Sequence, residues 1–114
     1  MRRIIAAGIL MVAGPVWAED WQDLAGPEIA TALEARVLQY KDGAMQNFFA
    51  DGRSLYEAGA GESWGRWRVT GDQYCSVWPP SDAWVCYDVQ RLGLEIRFTG
   101  HSGDPVVGHY IDLQ

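Results

Sequence analysis

Between Trp64 and Tyr87 the chain reads Trp-Gly-Arg-Trp-Arg-Val-Thr-Gly-Asp-Gln-Tyr-Cys-Ser-Val-Trp-Pro-Pro-Ser-Asp-Ala-Trp-Val-Cys-Tyr. This stretch holds both cysteines and four of the six tryptophans. Gln73 to Trp78 and Ala83 to Gln90 are rich in β-branched and aromatic residues, and Pro79-Pro80-Ser81-Asp82 between them is turn chemistry. If Trp78 faces Ala83 across that loop, the same register sets Cys75 directly opposite Cys86, within reach of a disulfide. Just upstream, Gly71-Asp72 is a two-residue hairpin turn that pairs Thr70 with Gln73. The two registers together put Trp67, Val69, Tyr74, Ser76, Trp78, Val85, Tyr87 and Val89 on one face. Arg66, Arg68, Val77, Trp84 and the disulfide fall on the other.

Working outward from this hairpin pair, the same alternation recurs. It predicts strands at Arg36–Tyr40, Ala44–Ala50, Arg53–Ala58, Trp64–Thr70, Gln73–Trp78, Ala83–Gln90, Leu94–Thr99 and Val106–Leu113. The connections between them are short and mostly carry glycine, so consecutive strands should be antiparallel neighbours. A two-residue Leu92-Gly93 turn would add Ile96 and Phe98 to the apolar face and set Asp88 against Arg97. In the Ala44–Ala58 hairpin, facing Phe48 with Leu55 or Phe49 with Tyr56 implies opposite faces, and the pattern does not choose. Gly26-Pro27-Glu28 opens a short helix, with proline in the first turn and Ile29, Ala32 and Leu33 on one side. The expected architecture is mainly β: a small antiparallel eight-stranded meander, closed or nearly closed into a barrel, with the helix over one end. A single twisted sheet packed on that helix is the alternative.

The beginning of the chain reads as an export signal. Arg2 and Arg3 supply positive charge, Ile4 to Ala13 are apolar, and Val16-Trp17-Ala18 offers a cleavage site. The apolar run is short for a membrane span, and Glu19 is not a lipidated cysteine. Removing residues 1–18 of 114 leaves 96, the size of a single small β domain over 19–114. It also moves the formal net charge from −6 to −8, because the signal carries two arginines and no acid. Such a chain should repel nucleic acid and anionic membranes. Two cysteines in an exported, periplasmic or secreted protein read as one structural disulfide rather than a redox pair, which would favour Cys-x-x-Cys at a helix start.

The pattern Asp51-Gly52-Arg53, then Gly65-x-Trp67-x-Val69-x-Gly71-Asp72, then Cys75, Trp78, Cys86 and Tyr87 resembles a group of small exported bacterial proteins of unknown function. Some of these carry the name dihydrodipicolinate reductase. The resemblance covers most of the mature chain and implies a fold rather than a chemistry, since its elements are turn glycines, core aromatics and a cysteine pair. The reductase name needs a dinucleotide-binding βαβ unit and a paired-histidine stretch with lysine. Gly59-Ala60-Gly61 lacks the third glycine and opens no helix, so neither NADPH nor NADH binding is expected.

Other chemistry is sparse. His101 and His109 would need Asp104 or Asp112 to complete a metal site, and their placement on a loop and a strand favours surface roles. Ser102 beside His101 has no orienting partner. No catalytic, cofactor or metal site is therefore expected. Trp84 beside Arg66, Arg68 and Val77 is the candidate binding surface, because exposed tryptophan with arginine is a common way to build one; the competing expectation is that another element covers Trp84. The functional expectation is an exported binding module for a small ligand or an envelope protein. Inhibition of a cationic envelope-directed enzyme is the first alternative and a small enzyme the second.

Overall fold

The computed structural model describes residues 20–113, so the export signal read at residues 1–18 lies outside the described residues. The described chain begins with a two-residue strand, β1 (Gln22–Asp23), and one helix, α1 (Gly26–Leu33). Eight strands follow: β2 (Arg36–Tyr40), β3 (Met45–Phe48), β4 (Arg53–Ala58), β5 (Gly61–Thr70), β6 (Gln73–Val77), β7 (Val85–Leu92), β8 (Glu95–Thr99) and β9 (Val106–Tyr110). Each pairs antiparallel with the next, and β9 pairs back with β2, so the eight form a closed barrel. The open-sheet alternative is thereby excluded. The ninth strand, β1, lies outside this ring and pairs with β7 at Gln22–Arg91 and Asp23–Gln90. Two residues carry no periodicity, which is why this strand is invisible in the sequence pattern.

The register around the cysteines is the one expected: Tyr74–Tyr87, Cys75–Cys86 and Ser76–Val85 pair directly. Cys75 and Cys86 form a disulfide with their Cα atoms 4.0 Å apart. Thr70 likewise pairs with Gln73 across Gly71-Asp72. Two expectations around β7 are corrected. Strand β7 begins at Val85, two residues late, and continues to Leu92, because β8 and β1 supply partners for its far half. The β7–β8 turn is Gly93-Leu94, with Leu92 paired to Glu95, so Asp88 faces Thr99 and Arg97 faces Gln90. The shift is two residues, so Ile96 and Phe98 still point inward and are buried.

The unresolved hairpin is settled by its loop. Phe49 N–H donates to the Arg53 carbonyl, leaving the three residues Ala50, Asp51 and Gly52 in the loop. Gly52 has φ +94°, the left-handed position that a three-residue hairpin loop reserves for glycine. Asn47 then pairs with Leu55 and Phe48 with Ser54. Phe48 turns inward, 1% exposed, and Phe49 turns outward.

The barrel is filled by its own side chains. Phe48 stands edge-on to Trp67 and Tyr74, with ring centroids 5.8 Å away in both cases, and Tyr74 lies 5.0 Å from Phe98. Ile29, Ala32 and Leu33 of α1 join this core, and the Tyr110 hydroxyl donates to the Ala32 carbonyl. The helix start is pinned where Gly26 N–H donates to Asp72 Oδ1 at 2.8 Å, and Glu28 reaches back to Ala25 N–H. Trp78, which the register sets on the same face as Trp67, is only half-buried. It packs over Gly65, where a Cβ would come within 2.5 Å of the indole, so no other residue fits beneath it.

A polar network crosses this core. Gln46 accepts from the Tyr40 hydroxyl, and its Nε2 donates to Ser54 Oγ at 2.9 Å and to the Tyr74 hydroxyl at 3.2 Å. Gln46→Met should therefore cost about 1–3 kcal/mol, chiefly by leaving the buried Tyr40 hydroxyl without an acceptor. Burial, reinforced by neighbouring tyrosines, holds the Tyr40 hydroxyl well above its ordinary value near 10, and burial raises Tyr74 as well. In the unfolded chain both ionise near pH 10, so stability is whole below that pH and falls as pH rises toward the folded values. Alkaline unfolding followed by circular dichroism should start near pH 10, and Tyr40→Phe should flatten that dependence. An unchanged alkaline profile in Tyr40→Phe would rule this account out.

Candidate functional site

The outward face of β4, β5 and β6 concentrates the positive charge. Arg53 pairs directly with Arg66 across β4–β5, and Arg68 pairs with Cys75 across β5–β6. Side chains two apart on a strand share a face, so Trp64, Arg66 and Arg68 form one outward row along β5. All three are exposed, with Trp64 at 47%.

Aromatic rings hold two of the guanidiniums. Arg53 lies 5.2 Å from the Phe49 ring centre and 5.4 Å from that of Trp64, and these two rings stack at 5.8 Å. Arg68 sits 3.9 Å above the Trp84 ring. Stacking fixes a guanidinium's plane and leaves its edge N–H groups free to donate. Arg66 Nη2 lies against the Gly52 turn, where a Cβ would approach it to 3.4 Å.

Arg53 is already paired. Its Nε donates to Asp51 Oδ2 at 2.9 Å, and its backbone N–H donates to Oδ1 of the same residue. The backbone N–H of Arg53, then its side chain and the charge of Arg66, hold the Asp51 carboxyl below its ordinary value. Among the described residues the ion pairs are Arg53–Asp51 and Arg36–Asp112, so Arg66 and Arg68 have no carboxylate within salt-bridge distance.

Of the four residues read from sequence as a binding surface, Arg66 and Arg68 are exposed and adjacent. Val77 is buried at 8% exposure, directly beside Arg66 in the ladder, and supplies packing instead of contact surface. Trp84 is half-buried, and what stacks on it is Arg68 rather than the helix. Sequence reasoning missed Arg53 and Phe49, because the three-residue loop ending in Gly52 decides which way they face. It also missed Trp64, although alternation along β5 sets that ring on the same side as Arg66. Glycine after Asp51 is the signal that could have found Arg53 and Phe49.

Elsewhere, Asp23, Asp72 and Asp88 border a cleft of about 390 Å³ beside Leu24, Ala25 and Val89. Two of these carboxylates already accept hydrogen bonds, Asp72 from Gly26 N–H and Asp88 from Gln73 Nε2. Among the described residues no group of three or more His, Cys, Asp or Glu is gathered for a metal ion. His101 and His109 are exposed, and Asp112 is taken up by Arg36 and the Val37 N–H. Gly59-Ala60 is a hairpin turn between two strands. A scan of protein-family models, a search of curated proteins and a search of solved structures each find no match to this chain.

Proposed function

We propose that this protein is an exported binding module of the cell envelope, without catalytic activity, that holds an anionic partner on the outer face of β4–β6. One observation carries the reading: three arginines cluster on one face of a chain whose net charge is −6. Like charges directly opposite across two strands are unfavourable, and Arg53–Arg66 is such a pair. Asp51 offsets one of the three charges, and Arg66 and Arg68 are left with donors to offer. Trp64 and Trp84 flank them as flat apolar contacts. The excess charge on this aromatic face is positive, which argues against inhibition of a cationic enzyme. The absence of nucleotide and nucleic-acid partners remains part of the proposal, because an extended polyanion would meet the acidic surface beyond these arginines.

The test is affinity capture from envelope extract with the oxidised protein and with the Arg66→Glu/Arg68→Glu double variant. Both side chains are exposed, so the variant should keep the wild-type circular dichroism. Wild-type capture should weaken with salt and be absent in the variant, since reversing two charges turns attraction into repulsion. Capture that survives both changes would defeat the reading.

A further inference from the structure

The row Trp64, Arg66, Arg68 has a repeat, and the repeat points to an occupant. We infer that this face receives an extended acidic peptide segment carrying carboxylates on two alternate residues and an apolar side chain on the next alternate residue. The inference rests on the anion-binding reading above and specifies its ligand.

Residues two apart on a strand are about 6.8 Å apart along it. An extended peptide has the same repeat, so carboxylates at i and i+2 reach Arg68 and Arg66 while a side chain at i+4 reaches Trp64. Each guanidinium can accept a carboxylate on two parallel N–H donors. Trp64 gives the third position an exposed ring, already backed by Phe49 and Arg53.

The positive stretch is also bounded. Beyond Trp64 lies Glu62, paired directly with Glu57 across β4–β5. Beyond Arg68 the strand ends at Thr70, and Asp72 and Asp88 border the acidic cleft. Room for two anionic groups between acidic ends suits a short acidic motif. A polyanion, such as a sulfated polysaccharide, would extend its charge onto those carboxylates. Every strand of the ring has a hydrogen-bonded neighbour on each side and the outward row presents side chains, so the peptide docks through side chains.

The experiment is calorimetric titration of the oxidised protein with two capped peptides of equal composition. One carries glutamates at i and i+2 and phenylalanine at i+4; the other has the glutamates adjacent. A sulfated polysaccharide is titrated in parallel. The alternating peptide should bind at least fivefold tighter than its isomer, and Arg66→Gln and Arg68→Gln should each weaken it about fivefold, the scale of one exposed ion pair. Equal affinity for the two peptides overturns the inference. So does tighter binding of the polysaccharide that the arginine variants weaken, though the anion-binding face would then stand. Self-association abolished by Arg68→Glu would assign the face to a second copy and likewise overturn it. Wild-type affinity for every anion in both arginine variants overturns the inference and the anion-binding reading together.

Discussion

Trp67→Ala should bring the barrel to the edge of unfolding. The indole is 8% exposed and packs edge-on against Phe48, with a further contact to Tyr74 at 6.4 Å. Its Nε1 also donates to the Phe49 carbonyl at 2.9 Å, tying the interior to the start of the β3–β4 loop. Truncating a buried tryptophan costs about 3–5 kcal/mol, against a total stability of about 5–15 kcal/mol for a typical protein. Urea denaturation should show the loss directly. Trp67→Phe keeps most of the apolar area and gives up the hydrogen bond, so it should cost clearly less. A loss under about 1 kcal/mol for the alanine variant would mean that the core does not depend on this ring.

The second large effect is expected at the disulfide. Cys75 and Cys86 are 11 residues apart, and closing so short a loop should contribute roughly 3 kcal/mol by restricting the unfolded chain. Native oxidised protein should show no titratable thiol. Cys75→Ala/Cys86→Ala should lower the urea midpoint, with β6 and β7 still paired because their ladder does not need the bond. Two reactive thiols in folded, non-reduced protein would remove the basis for this prediction. Cys75 is fully buried, and its ladder partner on the other side is Arg68. Reduction is therefore also expected to loosen the outer face at the candidate site.

What could be read in advance, and what could not, follows from loop length. The registers at Gly71-Asp72 and across Pro79–Asp82 were legible because turn residues of known geometry bracket strands with strong alternation. They carried the barrel face, the disulfide, and Arg66 and Arg68 pointing outward. The β3–β4 loop has one residue more than Asp51-Gly52 alone suggests, and that single residue reverses every side chain on one strand relative to the other. The facing of Phe49 and Arg53 was hidden for that reason, whereas Trp64 shares a face with Arg66 by simple alternation along β5. At the β7–β8 turn the error was two residues, which preserved Ile96 and Phe98 inside but broke the Asp88–Arg97 pairing. Alternation reports the direction of the Val77 side chain but not its burial, which is set by the neighbours that flank it.

Closure of the ring through β9 and β2 has a consequence for the order in which the chain can fold. Every other neighbouring pair in the barrel is joined by a short local connection, so those hairpins can form as soon as their own residues emerge. The last seam joins Tyr40 to Gly108 and Leu38 to Tyr110, across most of the length of the described chain. In a chain that emerges N-terminus first, β2 must wait with one edge unpaired until the final strand is available. Folding is then ordered by topology: the local hairpins can form first, and the barrel locks only when its last strand is in place.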